Sequence, residues 1–329
     1  MKIIILGADG YYGRALENRL RSAGHIVFGI DNLSRRQIDI ELGTRSLTPL
    51  PNFSQEIIDV TNFSQLYDFV KKVQPDAVVH LAEQRSAPYS QKSVKSKAYT
   101  VTNNTVGTLN VLECAKEFKF HLVHIGSMGV YGYDSETSIS DNDSRRAPGS
   151  VYHATKCFDS ILFEMYSRQF GIRITDLHQG IIWGIGGRFD YDDYFGTVLN
   201  RFIVQSMINL PVTLYGAGNQ QRAFINIENS LDSVQLVLSS ESEGMRSFNQ
   251  FTEIYTLSKL ALFFESSINL DNPRIENESN TLTASNAGLV QLGLSPIKIS
   301  NDAIESIKDH LSEFKNSIDR SVLPPRTKW

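Results

Sequence analysis

The chain has 329 residues, enough for about two domains at roughly 100–200 residues each. Hydrophobic residues make up 41% and charged residues 21%, which leaves ample material for a core and argues against intrinsic disorder. Thirty-two basic residues against 36 acidic ones give a net charge of -4, so the basic excess of a nucleic-acid binder is missing.

In chain order, Ile3–Leu6 is a β-branched run closed by glycine and predicts a buried strand. Tyr11–Ala23 has helical spacing, and His25–Ile30 predicts a second strand ending at Asp31. Gln55–Val60 and Ala77–Leu81 are predicted strands flanking a helix over Phe63–Val73. A long amphipathic helix follows over Thr105–Phe118, then a strand over His121–Ile125, a second long helix over Val151–Phe170 and a strand over Ile172–Leu177. This alternation predicts an α/β fold of the Rossmann type, a doubly wound parallel sheet that binds its ligands at the carboxyl ends of the strands.

The expected division is a dinucleotide-binding domain over 1–178, with returning pieces from 222–245, and a smaller C-terminal substrate-binding domain over 179–329. Gly184–Gly187 and Arg188–Phe195 read as loop, and Leu323-Pro324-Pro325-Arg326 as an extended tail. No apolar run reaches the roughly 18 residues of a membrane span. The apolar start, Met1–Gly7, is too short for a secretory signal, and two cysteines, Cys114 and Cys157, suit a reducing compartment; a cytoplasmic location is expected.

Gly7-Ala8-Asp9-Gly10-Tyr11-Tyr12-Gly13 lies between the first strand and the first helix. Glycines there let backbone approach a pyrophosphate, and the helix N-terminus favours its charge. Asp31 stands 18 positions beyond Gly13, at the end of the next strand, where a carboxylate accepts from ribose hydroxyls and repels a 2′-phosphate. NAD is therefore expected over NADP, with Arg35 and Arg36 as the residues that would serve the phosphate instead. Gly7, Gly10, Tyr11, Tyr12 and Gly13 form the expected cradle, and Asp31, Asn32, Leu33, Ser34 and Arg35 the adenosine end. Asp59 and Val60 are expected near the adenine, and Leu81, Ala82 and Glu83 near the pyrophosphate and nicotinamide ribose.

Tyr152 and Lys156 are one turn apart at the start of a helix, so they share a face. An ammonium beside a phenol favours the phenolate, lowering its pKa from about 10. Such a group can take an alcohol proton while hydride leaves the same carbon. Lys156 can also hold the nicotinamide ribose. Ser127, in Gly126-Ser127-Met128-Gly129 after the fifth strand, can bond the same hydroxyl. No metal site is expected: the seven histidines are scattered, and His121 and His124 fall on opposite faces of a strand.

These residues resemble the extended short-chain dehydrogenases/reductases that act on nucleotide sugars, and more closely the UDP-sulfoquinovose synthase family. The stretches carrying the closer resemblance are Glu83-Gln84-Arg85-Ser86-Ala87-Pro88-Tyr89-Ser90, Asn104–Leu112, Asp190-Tyr191-Asp192 with Phe195-Gly196-Thr197, Leu199–Phe202, Phe248–Glu253 and Asn272-Pro273-Arg274. The resemblance implies bound NAD, with UDP-glucose across the two domains. It places Ser127, Tyr152 and Lys156 as catalytic residues and Arg85 and Asn103 beside cofactor and sugar. It gives Gln179, Thr197, Arg201, Arg222 and Arg274 to the sugar nucleotide, where arginine suits phosphate oxygens. His153 is a candidate for moving protons at the C5–C6 end of the hexose. The family's glutamate in GxMGEYG is Val130 here, and the segments near 49–56 and 133–150 are shorter than in the family.

The implied reaction oxidises C4 of UDP-glucose, eliminates water from C5–C6, adds sulfite at C6 and reduces C4 again. The rivals are a UDP-sugar 4-epimerase or 4,6-dehydratase and, more remotely, a non-catalytic nucleotide sensor. The resemblance also implies a homodimer through the two long helices, 105–118 and 151–170; no nucleic-acid or membrane partner is expected.

Overall fold

The computed structural model describes residues 1–132, 138–214, 216–264, 266–270 and 281–326. Seven parallel strands form the central sheet: β1 (Lys2–Leu6), β2 (Ile26–Asp31), β3 (Glu56–Ile57), β4 (Ala77–His80), β5 (His121–Ile125), β6 (Ile174–Gln179) and, out of sequence, Met245–Gln250. Their spatial order is β3-β2-β1-β4-β5-β6 followed by Met245–Gln250. This is the Rossmann order extended by one edge strand.

Both faces of the sheet are covered, and its central strands β1 and β4 are largely apolar. Alternate residues of β1 serve two cores. Ile3 and Ile5 pack with Leu16, Leu20, Leu231 and Val234. Ile4 and Leu6 pack with Leu66, Val70, Leu112 and Phe163. The first layer is built by α1 (Tyr11–Ser22) and the helix Ile227–Ser239; the second by Phe63–Val73, Gly107–Phe118 and Val151–Phe170.

Three local differences from the sequence expectation have physical causes. The strand expected over 55–60 shrinks to Glu56–Ile57, because the Gln55 side chain accepts the Gly29 N–H and Asp59 then turns the chain by accepting from Thr61 N at 2.8 Å. An unexpected helix, α2 (Ser34–Leu42), follows β2; its start is fixed by Asn32 Oδ1 accepting from Ser34 N at 3.0 Å. It buries only Ile38 and Asp39, too few for a readable periodicity. The helix expected from Thr105 begins earlier, since Val94–Val101 runs through a π-helical turn, Thr102–Val106, into Gly107–Phe118. The wide turn buries Asn103 and Asn104 against the end of β4, and such turns often mark functional sites.

After β6 the chain leaves the sheet. Ile181–Trp183, Gln221–Asn226 and Glu253–Thr256 make a three-stranded sheet, and Val212–Thr213 pairs with Ile268–Asn269. A separate core of Trp183, Phe189, Phe202, Ile203, Phe224 and Ile304 lies under them. Met245–Gln250, which completes the central sheet, lies beyond the 222–245 stretch. No helix of the described residues is long and apolar enough to cross a membrane.

Candidate active site

The carboxyl ends of β1, β2 and β4 open into a cleft of about 850 Å³. Its floor is the glycine turn. Gly7 has φ +86°, and a Cβ there would sit 2.7 Å from the Leu81 carbonyl carbon; a Cβ on Gly13 would strike the Gly7 carbonyl oxygen. The chain thus passes closer to β4 and to itself than any side chain permits, and α1 presents its N-terminus to the cleft. Gly7, Gly10, Tyr11, Tyr12, Gly13, Asp31, Asn32, Ser34 and Arg35 line it, as do Val60, Leu81, Ala82, Glu83, Arg85 and Asn103. Three expected residues, Asp59, Leu33 and Lys156, stand back. Asp59 accepts from Asn32 Nδ2 at 2.9 Å and so holds the lining asparagine. Leu33 donates its backbone N–H to Asp31 Oδ1 at 2.7 Å.

The Asp31 carboxylate also accepts from Asp9 N at 2.9 Å, and burial raises its pKa. Each oxygen retains a lone pair for a ribose hydroxyl. The arginines that would serve a 2′-phosphate are engaged elsewhere. Arg36 and Arg14 both bind Asp9, holding its carboxyl below the ordinary range against the cost of burial. Arg35 pairs with Asp39 and Asp190 and lies 3.7 Å over the Phe195 ring. A glycine cradle, an acidic ribose acceptor and paired arginines together fit NAD.

The loop expected at 184–195 is a strap across this cleft. Gly187 N donates to Tyr11 O at 2.8 Å, and Leu47 N to Phe189 O at 2.8 Å. Within it Asp190, fully buried, receives Arg188 at 2.8 Å, Arg85 at 2.6 Å and Arg35 at 3.1 Å. Arg188 reaches on to Asp39 of α2 at 2.6 Å. Against burial, Arg188, Arg35 and Arg85 hold the Asp190 carboxyl at about 2. Asp190 and Arg188 were not predicted as site residues. Their other partners come from two distant stretches, α2 and the end of β4, and no spacing signals that convergence.

A second cavity of about 1390 Å³ adjoins the first, with Arg85 and Phe195 lining both. Ser127, Tyr152, His153, Gln179, Thr197, Arg201 and Arg222 all line it. Ser150 caps the helix of Tyr152 by accepting from His153 N at 3.2 Å, and its hydroxyl lies 3.1 Å from His153 Nδ1. Ser127 Oγ accepts from Gly129 N at 3.1 Å. Thr197 Oγ1 is buried without a hydrogen-bond partner, an unmet polar group that suits a polar ligand. Arg201 donates to Leu323 O at 3.0 Å, and Arg326 N to Asp193 Oδ2 at 2.8 Å, so the C-terminal tail braces the wall. Arg274 lies outside the described residues, as does 133–137 of the shortened segment.

Val130 does not line the cavity. It is fully buried with Met128, Tyr131, Cys157 and Phe251, so a carboxylate here would have to enter an apolar core.

Lys156 is placed differently from expectation. It lines neither cavity and is 3% exposed, and its ammonium donates to Ile125 O at 2.8 Å, to His124 Nε2 at 3.0 Å and to Glu83. These three acceptors match its three N–H groups. Its Nζ is 6.0 Å from the centre of the Tyr152 ring, within reach electrostatically. The reason for the displacement is the buried acid cluster behind β4–β6, invisible in the YxxxK spacing. Among the described residues Glu83, His124 and Asp159 are close enough to share a metal ion, but the cation among them is this lysine's own.

The family model for the NAD dependent epimerase/dehydratase family matches residues 3–249. The chain belongs to this family. It is an NAD-dependent enzyme of the extended short-chain dehydrogenase/reductase type. The UDP-sulfoquinovose synthase of Sulfolobus acidocaldarius is 36% identical, covering 100% of this chain and 98% of the relative. The chloroplastic UDP-sulfoquinovose synthase of Spinacia oleracea is 34% identical over 100% of this chain and 79% of its own. In fold, the chain is similar to the UDP-glucose 4-epimerase of Thermotoga maritima, solved with UDP-glucose, at a TM-score of 0.78 and 18% identity, covering 97% and 100% of the two chains. In this family member the glycine turn and Asp31 line the first cleft.

Proposed function

We propose that this chain converts UDP-glucose and sulfite into UDP-sulfoquinovose and water. The observation that carries the reading is full-length similarity, at 36% and 34% identity, to two proteins of that name. Residues 1–178, with the later pieces that return to the sheet, would hold the cofactor, and 179–329 most of the sugar nucleotide. In this reading Arg201, Arg222 and Arg274 pair with the diphosphate while Gln179 and Thr197 position the nucleotide.

Ser127 Oγ and the Tyr152 phenolate hold the C4 hydroxyl, and Tyr152 takes its proton. NAD, when bound, supplies the acceptor for the C4 hydride and returns that hydride at the end of the cycle. The C4 ketone acidifies the C5 hydrogen. His153 removes it and protonates the departing C6 hydroxyl, so water leaves. Bisulfite adds through sulfur at C6 and gives its proton to His153, which passes it to C5, and Tyr152 gives its proton back to the C4 oxygen as the alcohol is restored. With Val130 apolar and buried, His153 is the cavity group suited to the C5–C6 proton transfers.

Purified protein given NAD and UDP-glucose, with and without sulfite, tests this by product mass. A sulfonated nucleotide sugar formed only with sulfite is expected. UDP-galactose or a dehydrated 4-keto sugar as the sole product would assign the chain to the epimerases or dehydratases instead.

We also infer a homodimer. Val101 and Leu109 on one helical layer, and Phe158 and Ile161 on the neighbouring long helix, are exposed apolar side chains on helices that pack together. Cys114 and Cys157 are buried free thiols, which supports a reducing, cytoplasmic setting.

A further inference from the structure

His124 is part of neither cavity wall, yet it is the centre of a buried polar cluster beside the site. Its Nδ1 lies 2.8 Å from Asp176 Oδ1. Asp176 also receives Ser160 Oγ and His178 Nε2, each at 2.9 Å, and His178 passes its other nitrogen to the Tyr131 hydroxyl. Against burial, His178 and His124 hold the Asp176 carboxyl well below the ordinary range, so it remains an acceptor and His124 Nδ1 must be the donor. The ring is thereby fixed, and Nε2 faces Lys156 Nζ at 3.0 Å and Glu83 Oε2 at 3.3 Å. Asp159 Oδ2 is 3.9 Å away, and the His80 ring centre is 5.7 Å distant.

Nε2 has two states with opposite effects. Unprotonated, it accepts one N–H of the Lys156 ammonium and completes its three-acceptor seat. Protonated, it becomes a second cation beside that ammonium and a competing donor for Glu83, so the seat is lost. We propose that His124, oriented by Asp176, is a positioning residue of the C4 oxidation: its neutral ring seats the Lys156 ammonium that favours the Tyr152 phenolate. This role rests on the proposed reaction. Protonation is brought within working pH by the surroundings. Burial opposes the charged ring, but Asp176 and then Asp159 outweigh it, so His124 titrates above an ordinary histidine. Burial lowers Lys156 to about 8, opposed by Asp159 and Asp176, and raises Asp159 to about 6. His80, fully buried, is held neutral by burial and by the neighbouring His124 and Lys156 charges.

The test has two arms on the NAD-loaded protein. In ¹H–¹⁵N spectra of ¹⁵N-histidine protein, with His124 assigned by its loss in His124→Gln, the Nδ1–H neutral tautomer is expected at pH 8. An Nε2–H tautomer or an imidazolium at that pH overturns the proposal, whatever the sugar substrate. In kinetics with UDP-glucose and sulfite, wild-type kcat should fall on the acid side with a midpoint above about 6.5, the free imidazole value. His124→Gln, which keeps an amide acceptor without a titrating proton, should remove that limb and leave KM largely unchanged. His124→Leu should lower kcat by up to about 10²-fold at every pH. Superimposable wild-type and Gln profiles overturn the proposal. Absence of turnover with UDP-glucose would sink the functional reading instead, leaving the spectra to decide on His124.

Discussion

At the scale of single residues, the site combines groups with separate duties. Tyr152 lines the second cavity, whereas the lysine one turn on is turned inward, its Nζ 6.0 Å from the Tyr152 ring centre. Tyr152→Phe should therefore reduce kcat by about 10²–10⁴-fold, the usual worth of a positioned proton acceptor, with little change in KM or in retained NAD. Steady-state kinetics beside the absorbance of retained nucleotide checks both. His153→Gln should behave differently. It should spare exchange of hydride at C4 but block sulfonation, a split readable from deuterium transfer and product mass in one experiment. The reading of position 130 belongs here too. From the sequence alone a missing glutamate threatened the chemistry, but the side chain points into a core of Met128, Tyr131 and Cys157 and does not line the second cavity.

At the scale of elements, α2 and the strap over 184–196 are joined across the cofactor cleft by buried charge. Asp190 is the shared acceptor for arginines from α2, from the end of β4 and from the strap itself. Removing one partner of such a buried network strands the others, at a cost of about 3–5 kcal/mol. Asp190→Asn should lower Tm accordingly and release NAD on desalting; unchanged Tm with retained nucleotide would mean that the strap is held by its backbone bonds alone. The acid dependence follows the same residue. Its folded carboxyl is depressed to about 2 from an ordinary value near 4. The stabilisation is thus full above pH 4 and is lost as pH falls towards 2, and the Asn variant should lack that component in acid unfolding.

At the scale of the whole molecule, the apolar faces of the two long helices are left uncovered in one chain. Phe158 and Ile161 lie three residues apart on the same side of their helix. Phe158→Glu together with Ile161→Glu should convert a dimer to a monomer by sedimentation, without loss of bound NAD. A wild-type chain that sediments as a monomer at micromolar concentration would discard the homodimer.

The sequence by itself determined most strands of the central sheet (β1, β2, β4, β5 and β6), the helices over Tyr11–Ser22, Phe63–Val73 and Val151–Phe170, the glycine turn and the acidic residue after it. These depend on hydrophobic period, turn stereochemistry and short spacing, all local quantities. Local spacing singled out Ser127, Tyr152 and His153, and a resemblance with contiguous motifs added Thr197, Arg85, Arg201 and Arg222; all of them line the second cavity. Only the tertiary structure decided where Lys156 points, because the acceptors that draw it inward come from β4 and β5. Only the tertiary structure revealed the Asp190 cluster and the return of Met245–Gln250 to the sheet edge. Each of these depends on groups far apart in the chain, whose charges and backbone bonds meet only when the fold has closed.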